Sequence, residues 1–556
     1  MDMALRKLMH DDTPRINKII GDGVACTHIP FAGQYVDSIM RSASKGFPVG
    51  LEYLGCQRCT PLEEFNEVTR ERNNKRTFDV ARSDIFMMKY FFRYNGVMLP
   101  ARFISLPFVG DAGTITMSGS KFLISPILAD KVISIGTYNI FIRLLRDKLT
   151  FNRVSHSVLF GSLRENVYVI WSIIYKRPAK AKGTKTGIAL VHYLLCKYGF
   201  TGMFQKFTGC SPVVGLGEIN ENSYPPNEWT ICKSAQITKP KKFGKGLYEG
   251  TELRLAIKNC DLNTNTKALI TGFFYVVDFF PSRILPQYVE HTRLWMVLLG
   301  QINFTDIVDE RVLHEKMVAH FGSLDEYLDG LIISQLRSIG YECEDVYSLF
   351  YVVITNFNDW LLNTNEKVNS MYGKELSILY FILEKITNAI FNLNFKLKTA
   401  QKKELTEKEI ITTMNKILRT GLIFSITRPH PGMSTANYSG DNKFFNMTSI
   451  LFPQASANKT TGKKGRSSEN DPDMQLHSSI AEVGGFSNLP KNDPTGHARI
   501  NPHLHLGTES EIDGTIIRNP AFVEILDNIQ EKIKRNQCAC NSEEVELIDS
   551  EDVATD

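Results

Sequence analysis

The sequence lacks a long apolar run, a strong excess of charge and a secretory leader. Its longest apolar runs, 167–175 and 268–277, are shorter than the roughly 20 residues that a membrane-spanning helix needs. The N-terminal segment shows no apolar core followed by a small-residue cleavage site, so we expect no secretory signal. With 64 Lys and Arg against 60 Asp and Glu, the net charge of +4 does not by itself indicate a polyanionic partner. These absences predict a soluble protein.

Cysteine is sparse as well, with ten residues scattered over a chain of 556. That distribution is typical of a reducing compartment rather than of a disulfide framework. Cys56 and Cys59 form a C-x-x-C pair, and Cys538 and Cys540 form a C-x-C pair. Four thiolates could bind zinc. The second pair lies in a polar tail and no third motif supports it, so ordinary reduced cysteines are the favoured interpretation.

Motifs for metal-dependent or nucleotide chemistry are also missing. We find no D-x-D-x-D cluster, and Asp471 and Asp473 flank a proline in a turn-like run that we interpret as a loop. The segment 461–465 lacks the upstream Gly and the Lys-Ser/Thr ending of a P-loop. We therefore expect no catalytic residue in this chain.

A polar stretch rich in Gly, Pro, Asn and Ser is present instead, at about 427–507. It has no sustained helical period, and a compact domain rarely carries loops this long unless they function or are disordered. Two semi-apolar pieces, 444–452 and 480–489, interrupt it. We interpret the stretch as a working loop and the rest of the chain as its scaffold.

The region before position 340 mixes strand and helix signals. The segment 97–104 is strand-like, and two β-prone runs, 114–117 and 120–124, flank Ser118-Gly119, a hairpin signal. Farther along, 167–175 and 269–277 are strand candidates in a mixed α/β region.

Residues 340–425 carry the clearest helical signal. An apolar stripe recurs every three or four residues, as in an amphipathic helix that packs on a core; it comprises Leu379, Ile382, Leu383, Ile386, Ile390, Leu393 and Leu397. A second helix is predicted to begin with a capping box at Thr406 and Glu409. We expect it to end at Gly421, because glycine suits the left-handed position after a helix.

Two of these segments resemble the β subunit of multisubunit RNA polymerases. Pro107, Gly113, Thr114 and Gly119 fall in step with the family pattern P-x-M-x-x-x-G-T-F-x-x-N-G-x-E-R-V-x-x-S, although Ser118 replaces its Asn. The segment 360–376 is similar to the pattern D-x-x-D-H-x-G-x-x-R-x-x-x-x-G, especially in its F-G-K-K-R-L form. Tyr372, Gly373, Lys374 and Leu376 fit, whereas the acidic cluster and the His of the family are absent.

The late stretch resembles the fork of that family. Residues 441–454 are similar to D-Q-x-N-P-L-x-x-x-x-H-x-R-R, and 499–507 to R-x-x-H-P-x-H-x-G. Pro502 and His503 stand in the reverse order, and the twin Arg is missing. The connecting loop is longer and carries Lys459, Lys463, Lys464 and Arg466, which could supply the missing positive charge.

The resemblance implies nucleic-acid contacts in this stretch. Cationic side chains suit phosphates, and Asn and Gln suit sugar hydroxyls. The residues expected to contact nucleic acid are Asp441, Asn442, Lys443, Gln454, Lys463, Lys464, Arg466, Arg499 and His505. Phe444, Phe445 and Phe486 are candidates for stacking on a base. His503 and His505 could equally be surface histidines without a role.

Two basic segments, 176–185 and 239–245, lie beside turn residues and so on loops. They fit either a solvated loop or contact with phosphate, where Lys gains by releasing counterions from DNA. In the family that the chain resembles, this region is the lobe, which flanks downstream DNA.

The expected fold is α+β and multidomain, with protrusion, lobe and fork parts and no double-psi barrel with metal-binding aspartates. The resemblance implies five parts: 1–150 is the first part of the protrusion, 151–338 the lobe, 339–426 the helical second part of the protrusion, 427–520 the fork-like loops, and 521–556 a terminal helix with an acidic tail. The resemblance covers only the front half of a β subunit, as in the split subunits of giant bacteriophages.

The implied function is that of a non-metal-binding, β-like subunit of a phage DNA-dependent RNA polymerase, inactive when isolated. The Mg²⁺ ions of nucleotidyl transfer would be held by a partner chain. Expected partners are the C-terminal half of β, β′-like chains, template DNA and nascent RNA, with no membrane. The expected location is the host cytoplasm or a phage replication compartment, with the virion as an alternative. A structural virion protein and an accessory nucleic-acid-binding protein remain the alternative functions.

Overall fold

The computed structural model describes residues 17–73, 84–110, 113–117, 119–124, 126–144, 148–174, 187–217, 223–235, 252–280, 283–304, 307–324, 328–400, 405–420, 433–434, 449–451, 477–479, 484–485, 497–501, 503–507, 510–516 and 531. Helices and sheets alternate without a single repeating unit, so the expected α+β fold is confirmed.

The N-terminal part packs a helix on a four-stranded antiparallel sheet. Its elements are α1 (Lys18–Asp22), α2 (Val24–His28), α3 (Ala32–Ser44), β1 (Leu51–Arg58), α4 (Pro61–Asn73), β2 (Ile85–Tyr94), β3 (Val97–Met98) and β4 (Arg102–Pro107). The sheet has the order β1-β2-β3, and β4 also pairs with β2. Helix α3 buries one face against β1 and β4, because its apolar residues recur at helical spacing.

The strand expected at 97–104 is wrong in extent. It is two strands, β3 and β4, separated at Leu99-Pro100-Ala101. Proline lacks the backbone N–H that a ladder position would donate, which accounts for the break.

The predicted hairpin is confirmed at both strands. It consists of β5 (Thr114–Met117) and β6 (Ser120–Ile124), which pair antiparallel with Met117 opposite Ser120. Gly119 lies in the turn with φ of 81°, a conformation that glycine adopts without the steric cost a side chain would add.

The central part is built on an eight-stranded sheet. Its eight strands are β8 (Ile133–Ile135), β9 (Ile140–Arg143), β10 (Lys148–Phe160), β11 (Leu163–Ser172), β12 (Ile188–Ala189), β13 (Val213–Leu216), β14 (Trp229–Ser234) and β15 (Leu253–Lys258). The strand before them, β7 (Ile127–Asp130), belongs to another sheet that is described below. The main order is β12-β11-β10-β14-β15-β13, with β9 on β10 and β8 on β9. Strand β11 confirms the strand expected at 167–175, although it begins earlier and ends at Ser172.

Helices cover this sheet and form the largest core. They are α5 (Leu190–Thr208), α6 (Thr264–Phe279), α7 (Thr292–Asn303), α8 (Glu310–Leu324), α9 (Gly330–Ser338) and α10 (Val346–Leu362). Helix α5 lies at the centre and contacts α6, α7 and α10. Three of these helices begin with an acidic or amide cap, since Asn263, Asp329 and Asp345 each accept a hydrogen bond from a first-turn backbone N–H.

Helix α5 breaks at Gly199, which has φ of 71° and a non-helical ψ. The carboxylate of Glu290 accepts from the backbone N–H of Thr201 at 3.0 Å and so caps the second half. A Cβ at Gly199 would lie 3.1 Å from the Glu290 carboxylate, so a larger residue would crowd this contact as well as strain the backbone.

The strand expected at 269–277 is wrong, because this run is the middle of α6. Short apolar runs do not distinguish a buried strand from a buried helix by periodicity. Asn263 caps the start of α6, because its side chain accepts from the backbone N–H of Thr266 at 2.9 Å. The helix therefore begins at Thr264, five residues before the predicted strand.

The helical block that follows is confirmed in its main features. After β16 (Lys374–Ser377) come α11 (Leu379–Ile382), α12 (Glu384–Ala400) and α13 (Glu407–Ile417). Six of the seven residues of the predicted stripe are buried and Leu379 is half-buried, but the stripe is divided between α11 and α12, with Leu383 between them. The capping box at Thr406 and Glu409 is present at the start of α13. The expected end at Gly421 is wrong, since the helix ends at Ile417; Gly421 lies outside the described residues.

The described residues between 427 and 520 include six short strands. They are β17 (Met433–Ser434), β18 (Ser449–Leu451), β19 (Gly484–Gly485), β20 (His497–Ile500), β21 (Leu504–Leu506) and β22 (Ile512–Ile516), here called the late strands. The helix expected at 522–535 lies outside the described residues apart from Glu531. Throughout the described part of the chain, no helix combines the length and the apolarity that crossing a bilayer requires.

Candidate functional site

The late strands pair with strands that precede them by about three hundred positions. β17 pairs antiparallel with β6 of the hairpin, with Met433 opposite Ile124. β18 runs parallel to β7, with Leu451 opposite Ile127. Backbone pairing therefore joins the hairpin region to the stretch that the sequence singled out.

A third segment completes this arrangement. β16 pairs antiparallel with the other edge of β7, so one five-stranded sheet has the order β16-β7-β18-β20-β19. We use the name junction for three sheets together: this five-stranded sheet, the hairpin sheet β17-β6-β5 and the pair β21-β22. The three segments that carried the resemblance thus meet in one place.

Gly373, at the entrance to β16, is required by this packing. A Cβ there would lie 2.8 Å from the backbone oxygens of Glu366 and Lys367, closer than side chains and carbonyls approach. The preceding turn is closed by Ser370, whose hydroxyl accepts from the backbone N–H of Tyr372.

Residues beside the late strands, Ser479 and Ser510, form hydrogen bonds with that turn and with β16. The Ser479 hydroxyl accepts from the backbone N–H of Met371 at 2.9 Å, and His477 Nδ1 lies 2.9 Å from the same oxygen. At the other end of the turn, Leu376 N–H donates to the carbonyl of Ser510 at 3.0 Å. These bonds satisfy backbone groups that would otherwise be buried unpaired.

His28 of α2 contacts Ser510, which lies between β21 and β22. His28 Nε2 lies 2.9 Å from the Ser510 hydroxyl. Burial lowers the pKa of His28 to about 4, so the imidazole is neutral near pH 7. Ser510 itself has φ of 62°, a left-handed conformation that is uncommon for a residue with a side chain.

A carboxylate between two lysines marks the centre of the junction. Asp130, at the end of β7, contacts Lys374 on β16 and Lys148 on β10, the latter at 2.8 Å. Burial acts to raise the pKa of Asp130, but the two ammonium groups outweigh it, and the pKa lies below its usual value. The charged carboxylate therefore links three elements.

A second ion pair lies beside it. Arg143 at the end of β9 contacts Glu375 at 2.6 Å and also donates to the backbone oxygen of Asp130 at 3.2 Å. Burial acts to lower the pKa of Arg143, but Glu375 outweighs this and raises it. Lys131 and Glu366 form a third, more exposed pair at 3.1 Å. These ion pairs, together with the chain connection from β7 to β8, link the central sheet to the junction.

Most of the residues expected to contact nucleic acid lie outside the described residues: Asp441, Asn442, Lys443, Gln454, Lys463, Lys464 and Arg466, together with Phe444, Phe445, Phe486 and both basic segments. Their contacts with nucleic acid stay predictions. Arg499 lies on β20, opposite Ser449 of β18 and Gly485 of β19.

His505 lies on β21 with its side chain 47% exposed. Its Nδ1 is 2.9 Å from the Asp513 carboxylate on β22. A phosphate could reach this imidazole, but the neighbouring carboxylate would oppose the phosphate charge. A sugar hydroxyl or a base edge suits the pair better than a phosphate does.

The first cysteine pair consists of two free thiols, Cys56 half-buried and Cys59 buried. Burial raises the pKa of each to about 11, so both are protonated near neutral pH and poorly suited to bind a metal. Cys538 and Cys540 lie outside the described residues. Among the side chains that the structure describes, no group of three or more His, Cys, Asp or Glu could hold a metal ion.

Sequence reasoning missed the residues that assemble the junction. Asp130, Lys148, Arg143, Glu375 and Ser479 belong to different elements, and no spacing relates them. The only local signal is an acidic residue at the end of an apolar strand, which is a common pattern with many meanings.

The fold and the junction can now be set beside known proteins. The model of one protein family, described as non-virion RNA polymerase subunit, matches residues 11–531. No curated protein matches the chain. The family match includes the hairpin, the central sheet with its helices, and all the late strands.

Proposed function

This chain belongs to the non-virion RNA polymerase subunit family, and from that membership we propose that it forms one side of the DNA cleft in such an enzyme. In this proposal it is the β-like, N-terminal-half subunit of a phage DNA-dependent RNA polymerase. The late stretch forms the fork beside the RNA–DNA hybrid.

The observation that supports this proposal is the junction. The hairpin, the segment around β16 and the late strands each resemble a part of the β subunit. One late strand lies in the sheet of the hairpin, and three others lie in the sheet that contains β16. A fork has to project from a rigid part of the protein while it contacts nucleic acid. The buried hydroxyl of Ser479, the ion pairs and the paired strands make the junction rigid enough for this role.

Nucleotidyl transfer in multisubunit polymerases uses Mg²⁺, which stabilises the attacking and leaving oxygens. The donor groups among the described residues do not fit such a site. Because the sequence contains no D-x-D-x-D cluster, we propose that a partner chain holds the metal and that this chain supplies no catalytic residue. The role of this chain is to orient DNA and RNA through cationic, amide and aromatic side chains of the late stretch.

The family description also bears on location. A non-virion polymerase acts in the infected cell, and this does not support packaging in the virion or a structural role there. An accessory DNA-binding role would show itself as sequence-independent binding of duplex DNA by the isolated chain.

Affinity purification from producing cells, followed by primed transcription with the recovered complex, tests the proposal. We expect co-purification with chains that carry an aspartate triad and the second half of β, and RNA synthesis that depends on Mg²⁺. Recovery of this chain alone, as a homo-oligomer without transcription activity, would contradict the proposal.

A further inference from the structure

A cleft of about 890 Å³ lies next to the junction. Its walls come from α2 and α3, the end of β9, the start of α9, and β16 with the residues that follow it. The volume falls within the range of roughly 300–1,000 Å³ that is typical of binding clefts. Much of the lining is apolar; it includes Phe31, Leu144, Leu331, Ile332, Ile378 and Leu379.

A solvent-exposed aromatic side chain borders this cleft. Phe31 is 53% exposed, although it adjoins a helix whose other apolar residues are buried. A single exposed apolar residue is ordinary. Here, however, the ring adjoins an apolar cleft, and aromatic anchors of this kind contribute strongly to protein interfaces.

The polar side of the cleft contains Asp329. Its side chain is 2% exposed, and Oδ1 accepts from the backbone N–H of Ile332 at 2.8 Å, which caps α9. Oδ2 has no hydrogen-bond partner within the described part of the chain. A buried carboxylate oxygen without a donor is costly, so this atom favours a ligand that donates a hydrogen bond.

Ser38 on α3 lies at the same place. A Cβ added to Gly330, the residue after Asp329, would be 3.2 Å from the Ser38 hydroxyl. That hydroxyl also has no partner among the described residues. Two neighbouring polar atoms, one on α3 and one before α9, thus have no hydrogen-bond partner among the described residues.

The cations near Asp329 are not placed to satisfy it. Arg143 is engaged by Glu375, and Arg41 on α3 by Asp37 at 2.8 Å. Burial raises the pKa of Asp329, and the more distant charges of Arg143 and Lys45 oppose this only in part. A cation brought in from outside would complete the site.

We propose that the cleft receives an apolar segment of another polymerase subunit, whose Lys or Arg donates to Asp329 Oδ2 while its apolar side chains pack against Phe31. This inference rests on the proposed function, because it requires the chain to be one subunit of a larger enzyme. Charge complementarity at Asp329 and the apolar lining determine the chemistry of the partner segment.

Asp329→Asn tests the charge directly. Asparagine also caps helices well, so α9 should be retained, while the second oxygen is replaced by a donor that repels Lys or Arg. In the complex purified from producing cells, we expect the docked subunit to dissociate at least about tenfold faster in salt washes. Asp309→Asn is the matched control, since Asp309 precedes α8, accepts from the backbone N–H of Arg311 and does not line the cleft.

Photocrosslinking identifies the occupant. Phe31→p-benzoylphenylalanine in the assembled complex should crosslink to a segment of another polymerase subunit that contains Lys or Arg. Phe65→p-benzoylphenylalanine is the control, because Phe65 is 67% exposed and lies on α4, outside the cleft lining. A crosslink within this chain, to a second copy or to no protein would overturn the inference, as would unchanged dissociation in Asp329→Asn.

The two proposals fail in different ways. If purification recovers an active polymerase and the Phe31 probe reaches no other subunit, only the cleft inference is overturned. If purification recovers no polymerase subunit, the proposed function fails and the cleft inference fails with it.

Discussion

The central part, 148–362, and the late strands, 433–516, differ in how much apolar surface their described residues bury. The central part buries a large apolar core in which Phe273, Phe274 and Trp295 are fully buried. The described late strands are two to five residues long. Their buried apolar side chains among the described residues are Ile500, Leu504, Leu506 and Ile512, and backbone pairing and nearby hydroxyl contacts attach them further. Burial of apolar area contributes far more free energy than isolated polar contacts do. The comparison indicates a stable body that carries a more weakly held segment.

The largest expected effect is in the central core. Phe273→Ala should lower the free energy of unfolding by about 3–5 kcal/mol, because it removes a buried ring and leaves a cavity. Chemical denaturation of the full chain measures this as a shift of the midpoint. Phe65→Ala, at an exposed ring on α4, is the control and should change little. Equal shifts for the two variants would contradict the assignment of stability to the core.

The next effect concerns nucleic acid rather than folding. Replacing Lys463, Lys464 and Arg466 with Ala in the assembled complex should weaken DNA binding and reduce the slope of log affinity against log salt by about 2–3. Replacing Lys396, Lys408 and Lys416, which are exposed on α12 and α13, is the matched control. Binding measured over a salt series distinguishes them, and an unchanged slope in the first variant would count against phosphate contact by the late stretch.

A smaller effect is expected where the late strands attach. Ser479→Ala removes the acceptor for the Met371 N–H, and a buried unpaired donor costs about 1–3 kcal/mol. Because the loss is local, hydrogen exchange at Met371 should accelerate by roughly tenfold or more, while the central core stays protected. Ser44→Ala, at an exposed hydroxyl that donates to Arg41, is the control. Acceleration spread evenly over both regions would show that they open together.

The smallest effect is a dependence on pH. Burial lowers the pKa of His28 from 6.5 to about 4. Between pH 6.5 and pH 4, the unfolded or detached form therefore binds more protons than the folded form does. The stability that the His28 contact contributes is present above pH 6.5 and is lost as the pH falls toward 4. Proteolysis of the late strands should become faster at pH 5 than at pH 7. His28→Gln should reduce this dependence and His314→Gln should not; identical profiles would exclude His28 as its source.

The comparison also shows why some predictions from the sequence were confirmed and others were wrong. The hairpin at 114–124 and the capping box at Thr406 depend on residues within a few positions of one another. The prediction of a strand at 269–277 was wrong because the apolar pattern of this run suits a buried strand and a buried helix equally. Only the packing of the folded chain determines that the run is part of α6. The helix expected to reach Gly421 ended at Ile417, since a favourable glycine does not force a helix to continue to it.

The sequence by itself determined the local elements: the turn at Gly119, the amphipathic stripe of α12, and a polar late stretch without helical period. Only the tertiary structure decided that β18 lies on β7, that Asp130 joins Lys148 to Lys374, and that Asp329 faces a cleft. Local conformation follows from sterics and hydrogen bonding among near neighbours. Pairing over hundreds of positions depends on which surfaces the rest of the chain leaves available, and no short pattern encodes that.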